Sequence, residues 1–206
     1  MIIYLIRHAQ TVGGGENMFR GRLDAELSPT GEEQARACAR YLNRAPLSAV
    51  FSGPLLRARQ TAAAIANPHA LDPEIVEGID DIDVGDWEGL TIDEVARRWP
   101  RELAAWNASP HTFRFPNGES LHDVRSRCWT SLEVIADRLP SEATIALVTH
   151  RVVCKLLMLS ALGAPTSSFW RVSQQPCAIG VLERRCKGDY VVHAINSATH
   201  LDPRDN

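Results

Sequence analysis

The stretch Ile2-Ile3-Tyr4-Leu5-Ile6-Arg7-His8 opens the chain with five apolar residues, followed directly by a cation and an imidazole. An uninterrupted apolar run of this length predicts a short buried strand. In an open α/β sheet the carboxyl edge of such a strand is where ligands bind. Most Arg-His pairs are solvent-exposed surface residues. The assignment of Arg7 and His8 to a binding site therefore depends on which other residues the chain places at the same edge of the sheet.

Composition limits the classes of protein to which the chain can belong. Its 206 residues are 45% hydrophobic and 23% charged, which is typical of one globular domain. The formal net charge of −3 gives no general attraction to nucleic acid or to an anionic membrane. A cationic site must therefore be built locally, and we expect neither nucleic acid nor membrane as a partner.

The distribution of cysteines and the short length of the apolar runs predict a cytoplasmic location. The five cysteines are scattered and form no CxxC pair, which argues against a disulfide framework or a zinc site. No secretory signal opens the chain, and no apolar run approaches the length of a membrane span.

Strand and helix patterns alternate along the chain. The spacing predicts helices over 30–43, 54–65, 91–108 with a break at Pro100, 119–139 and 152–162, and strands over 2–6, 49–51, 74–77, 144–149, 178–184 and 190–195. This order predicts a three-layer α/β/α fold with a mostly parallel central sheet. We expect a single domain over 1–206, in which a helical insertion at about 85–120 caps the active-site edge.

Three strand-to-loop junctions carry residues suited to phosphoryl chemistry. They are Arg7-His8, the segment 52–62 with Arg57, and His150 after the strand that ends at Thr149. Parallel strands would bring them to one edge of the sheet. Guanidinium groups match phosphate oxygens, and a neutral imidazole, favoured by nearby cations, can attack phosphorus.

These residues belong to a longer pattern. Leu5-Ile6-Arg7-His8-Ala9-Gln10-Thr11 resembles the signature of the histidine phosphatase superfamily, in its phosphoglycerate mutase-like branch. Further matches follow in order over nearly the whole chain: Gly21-Arg22-Leu23-Asp24 with Leu27-Ser28 and Gly31, the segment 52–62, Gly85-Asp86-Trp87-Glu88-Gly89-Leu90, Asn117-Gly118-Glu119-Ser120 with Arg127, and Val148-Thr149-His150.

The resemblance implies a role for each matching residue. His8 would become the phosphohistidine, while Arg7, Arg57 and His150 would hold the phosphoryl oxygens. Asp81 occupies the position of the family's proton donor. The resemblance implies that Thr11 and the backbone near Gly21 line the pocket, and Gln10, Asn17 and Arg151 are further candidates for binding substrate.

The chain departs from the family's pattern at three positions. The donor is usually Glu, so the shorter Asp81 leaves Asp80 and Asp83 as alternative donors. Gly14 stands where the family usually has Asn, and the missing contact is either absent or supplied by Asn17. Arg151 replaces the usual Gly, and either points at the substrate or is a surface residue at a helix start.

Three further features keep two interpretations each. Glu119 either caps its helix or orients an active-site arginine. The tryptophans are expected to be packing residues, with Trp99 and Trp106 the exceptions because the insertion should overhang the site. Arg20 and Arg22 either contact an anionic substrate or are solvated.

The sequence thus predicts a metal-independent phosphomonoesterase without a cofactor. Its substrate would be a small phosphorylated metabolite and its product inorganic phosphate. A phosphoglycerate mutase is the first alternative, and a phospho-ligand-binding protein with little turnover is the second. The oligomeric state stays open, although an edge strand in the tail is compatible with a homodimer.

Overall fold

A central six-stranded sheet organises the computed structural model, which describes residues 1–13 and 17–201. Its strands are β1 (Ile2–Arg7), β3 (Ala49–Ser52), β4 (Glu74–Ile75), β6 (Thr144–Thr149), β7 (Ile179–Cys186) and β8 (Asp189–Ser197). The strand order is β4-β3-β6-β1-β7-β8; the first four strands are parallel to one another, β7 runs antiparallel to β1, and β8 runs antiparallel to β7. The prediction of a mostly parallel sheet is confirmed.

Helices cover both faces of this sheet. They are α1 (Pro29–Leu42), α2 (Leu56–Ala66), α3 (Ile92–Arg98), α4 (Pro100–Ala108), α5 (Leu121–Asp137) and α6 (Arg151–Ala161). In β6, Ile145 and Leu147 pack with α5 and α6, whereas Ala146 and Val148 pack with α1 and α2. Burial on both faces explains why this strand is uniformly apolar, and it confirms the three-layer arrangement.

Local sequence fixes where the principal helices begin. The hydroxyl of Ser28 accepts a hydrogen bond from the backbone of Gly31, and Pro29 occupies the first turn of α1. Ser120 and Asp123 form a capping box at the start of α5. Glu119 therefore lies just outside α5, and the interpretation of Glu119 as its helix cap is wrong.

The stretch 85–120 is less uniformly helical than the sequence predicts. It contains α3 and α4, which meet at Trp99 just before Pro100, but also the short strand β5 (Leu90–Thr91). This strand pairs with β2 (Met18–Phe19) outside the central sheet. Strands of two residues are too short to show alternation, so β2 and β5 could not be predicted from a residue pattern.

None of the helices in the described ranges is long and apolar enough to span a membrane.

Gly85 and Gly89 provide a test of the packing of the stretch 85–120. Both have positive φ, but a Cβ on Gly85 would lie 2.0 Å from the carbonyl oxygen of Pro116, whereas a Cβ on Gly89 meets no atom within 4 Å. Gly89→Ala should cost about 1 kcal/mol of unfolding free energy through backbone strain alone. Gly85→Ala should cost more, about 2–4 kcal/mol, because backbone must also move. Urea denaturation measures both, and equal losses would contradict the packing described.

Candidate active site

His8 follows β1 at the carboxyl edge of the sheet. Its backbone N–H donates to the oxygen of Thr149 at 2.8 Å, and its side chain is buried. Nδ1 of the ring lies 2.8 Å from the carbonyl oxygen of Ala9. Because a carbonyl only accepts hydrogen bonds, Nδ1 carries the proton and Nε2 is left with the lone pair.

His150 lies beside His8 at the end of β6. The ring centroids are 5.2 Å apart, and the His150 side chain is fully buried. Among the described residues, neither of its ring nitrogens has a hydrogen-bond partner, although Asp81 Oδ2 approaches Nδ1 at 3.5 Å. A buried polar group left in this state is uncommon and indicates a site that a ligand completes.

Burial lowers the pKa of both imidazoles well below the usual value of 6.5. For His8 the neighbouring charges of His150, Arg7 and Arg57 lower the pKa further. For His150 the additional cause is Arg57, followed by Arg127 and Arg7. Both rings are therefore neutral near pH 7, and Nε2 of His8 is in its nucleophilic form.

Arg57, on the first turn of α2, places a buried cation next to these rings. Its side chain is 1% exposed. The guanidinium donates to the carbonyl oxygens of Leu23 and Gly21, each at 2.8 Å, and to Asp81 Oδ2 at 3.1 Å. These three oxygens compensate the charge and fix its position.

Arg7 supplies a second cation at the same edge. One of its terminal nitrogens donates to the carbonyl oxygen of Gln174 at 2.7 Å. The two guanidinium groups and the two imidazoles thus come together, as the three strand junctions predict.

The three candidate donor carboxylates differ in their surroundings. Asp81 contacts Arg57 and lies in the wall of a cavity above His8. Asp80 lies outside that wall and pairs with Arg22 at 3.2 Å, and burial raises its pKa. Asp83 also lies outside it and accepts a hydrogen bond from the backbone of Gly85. The geometry favours Asp81.

A half-buried ion pair between Arg127 and Glu119 holds the segment that carries Asp81. Arg127 donates to the carbonyl oxygens of Gly78, Asp80 and Asp81 at 3.1, 2.8 and 2.9 Å. Glu119 contacts it through both oxygens, at 2.8 and 2.9 Å, and also accepts from the backbone of Asp83. Although burial alone would raise the pKa of Glu119, the hydrogen bonds from Arg127 and Asp83 lower it overall.

The cavity above His8 has a volume of about 290 Å³. Its polar wall includes most of the residues that the sequence assigned to the site: Arg7, His8, Gln10, Thr11, Gly21, Arg57, Asp81 and Arg151. His150 packs behind His8 and is not part of the wall. Asn17 is exposed and also lies outside the wall; its carbonyl oxygen accepts a hydrogen bond from the backbone of Ile92. Gly14 lies outside the described residues.

Sequence reasoning missed two features of the site. Arg22, treated as solvated or substrate-binding, instead bridges Asp80, Asp83 and Glu119. The cavity also has an apolar wall that includes Phe19, Trp106 and Phe115. Of these three residues, the sequence placed only Trp106 near the site.

Within the described ranges, no group of three His, Cys, Asp or Glu residues is arranged to hold a metal ion.

Comparison with known proteins agrees with this geometry. The family model of the histidine phosphatase superfamily (branch 1) matches residues 3–197. Phosphoserine phosphatase 1 of Hydrogenobacter thermophilus is 31% identical over 199 residues, which cover 97% of this chain and 93% of that protein. A probable phosphoglycerate mutase, GpmB of Escherichia coli, is 28% identical over 207 residues, covering 97% of this chain and 94% of that protein.

Solved structures share the fold. YhfR of Bacillus stearothermophilus superposes with a TM-score of 0.92 at 26% identity, covering 98% of this chain and 99% of that chain. The mycobacterial glucosyl-3-phosphoglycerate phosphatase Rv2419c gives a TM-score of 0.86 at 24% identity, over 96% of this chain and 99% of that chain. The chain belongs to the histidine phosphatase superfamily, branch 1.

The lowered pKa values of His8 and His150 predict a pH-dependent stability. Below the usual histidine pKa of 6.5, His8 and His150 are protonated in the unfolded chain but stay neutral in the folded protein. The free energy of unfolding is therefore highest above pH 6.5 and decreases as the pH falls below it. Between pH 6.5 and 5.5 the pair should cost about 2 kcal/mol of unfolding free energy. Urea denaturation at the two pH values measures the loss.

The controls separate these two rings from other titrating groups. The double variant His8→Gln/His150→Gln should lose most of this pH dependence, whereas His111→Gln should keep it because His111 is exposed. An unchanged loss in the double variant would show that other groups cause it.

Proposed function

We propose that the protein is a metal-independent phosphomonoesterase that hydrolyses a small phosphorylated metabolite through a phosphohistidine on His8. The observation that carries the proposal is the neutral His8 ring, which has its proton on Nδ1 and which lines a cavity together with Arg7, Arg57 and Asp81. A nucleophile, two cations for the phosphoryl oxygens and one carboxylate are the groups that this reaction requires.

The first half-reaction forms the phosphoenzyme. Nε2 of His8 attacks phosphorus as the ester P–O bond breaks, and protonated Asp81 gives its proton to the leaving alkoxide, which departs as the alcohol. Arg7 and Arg57 stabilise the charge on the equatorial phosphoryl oxygens. His150, whose ring nitrogens have no hydrogen-bond partner among the described residues, is proposed to hold the same oxygens by donating a ring N–H.

The second half-reaction releases phosphate. The Asp81 carboxylate takes a proton from water, the resulting hydroxide attacks phosphorus, and the N–P bond to His8 breaks. Inorganic phosphate leaves, and Asp81 is again protonated for the next cycle.

The comparisons support a phosphatase of small metabolites. Phosphoserine phosphatase 1 matches nearly all of both chains at 31% identity. GpmB, a probable phosphoglycerate mutase, is similar over the same length and keeps a mutase as the second candidate. Turnover that depends on a bisphosphorylated primer would favour the mutase.

We also propose a single domain over 1–206 with a cap at about 85–120, supported by the position of Trp106 in the cavity wall. A cytoplasmic location is proposed because all five cysteines are free.

Phosphate release from p-nitrophenyl phosphate in excess EDTA tests the proposed reaction. The wild-type protein should turn over at a rate that EDTA does not change, and His8→Ala should lose at least about a thousandfold because the nucleophile is gone. An EDTA-sensitive rate, or a rate that survives in His8→Ala, would contradict the mechanism. A matched variant, His111→Ala, controls for the general effect of removing an imidazole.

The identity of the donor predicts a dependence on the leaving group. Asp81→Asn should lower kcat/KM for ethyl phosphate by about 10²–10⁴-fold, but that for p-nitrophenyl phosphate much less, because kcat/KM reports phosphoenzyme formation and nitrophenolate leaves without protonation. Asp80→Asn, next to it in the chain, should slow both esters equally and by less than about tenfold. Asp81→Glu should recover part of the lost rate. If Asp80→Asn instead shows the leaving-group dependence, Asp80 is the donor.

A further inference from the structure

The cavity above His8 has a second wall that the phosphoryl group does not use. Besides the arginines and His8, the lining of the cavity includes the apolar side chains Phe19, Trp106, Phe115 and Val152. No step of the proposed reaction requires these side chains. Their position at the cavity places them against whatever is attached to the phosphoryl group.

This wall is held rigidly by ring-to-ring packing. The centroids of Trp106 and Phe115 are 4.8 Å apart, and those of Phe19 and Phe115 are 6.2 Å apart. Trp106 also packs against Phe169 and Trp170, with ring centroids 5.8 and 5.3 Å apart. The rings come from β2, α4 and the segment before α5, so three parts of the chain converge to form one surface. A preformed apolar surface of this kind binds without further ordering.

We propose that the leaving alcohol of the substrate carries a flat apolar group that packs on Phe19, Trp106 and Phe115. This inference rests on the proposed phosphomonoesterase function and specifies its substrate class. Aromatic rings prefer offset or edge contacts with other rings, and apolar atoms buried here leave water without losing hydrogen bonds. A leaving group made only of hydroxyls would lose its hydration against the same wall without gaining partners.

Charged residues at the cavity define the competing outcome. Arg20 and Arg151 also line it, and a substrate with a second anion would use them. Arg20, however, already donates to the carbonyl oxygens of Val12 and Gly13. An ester with a carboxylate but no ring therefore serves as the comparison.

The test compares esters that differ in one group. Ethyl phosphate and 2-phenylethyl phosphate are both esters of primary alcohols, so the bond that breaks is the same, and phosphoserine adds a carboxylate without a ring. The wild-type protein should favour 2-phenylethyl over ethyl phosphate by at least about tenfold in kcat/KM, mainly through KM. It should also favour 2-phenylethyl phosphate over phosphoserine.

Two variants locate the preference on the wall. Trp106→Leu and Phe19→Leu should each lower the ratio of the two kcat/KM values at least about threefold. Because both esters are measured on the same preparation, the ratio does not depend on the fraction of folded protein. Trp129→Leu is the matched control and should keep the ratio, since Trp129 packs on Tyr190 rather than in the cavity wall.

Each other outcome overturns the inference. A wild-type ratio near one, or a ratio that neither variant changes, would show that the ring does not pack on this wall. A preference for phosphoserine would assign the cavity to a second anion. Failure to hydrolyse any of these esters or p-nitrophenyl phosphate would overturn the proposed function as well, which separates that failure from a failure of the substrate class alone.

Discussion

The buried guanidinium of Arg57 is the constraint on which the rest of the site depends. A charge that is 1% exposed needs several oxygen partners, because an unpaired charge in the interior is costly. Its partners come from two distant segments: the loop after β2, through Gly21 and Leu23, and the donor segment, through Asp81. Satisfying this one cation therefore brings the phosphoryl pocket and the proton donor together.

The same cation also contributes to the neutral state of the neighbouring rings, of which burial is the main cause. Burial, together with Arg57 and Arg7, lowers the pKa of His8, so the nucleophile is neutral without a dedicated base to activate it. The Ala9 carbonyl fixes the proton on Nδ1. Removing Arg57 would thus act on three properties at once: the binding of phosphoryl oxygens, the ionisation of His8 and the position of Asp81.

Sequence alone predicted the sheet, the long helices and the residues at the strand ends, because each has a local signal. The uniform apolar run of β6 and the periodic face of α5 are examples. The support of the donor segment could not be predicted in this way. Arg22 and Glu119 are 97 positions apart in the chain, and their pairing depends on tertiary packing. Likewise, β2 and β5 are too short for a pattern, so the aromatic wall beside Phe19 emerges only in the folded chain.

The central claim is that Nε2 of His8 carries the phosphoryl group. Rapid quenching into alkali during turnover of p-nitrophenyl phosphate, followed by mass spectrometry of peptides kept above neutral pH, measures this directly. The account predicts an acid-labile phosphate on Nε2 of His8, with none on any residue in His8→Asn. Phosphate on His150, or full turnover in His8→Asn, would contradict it.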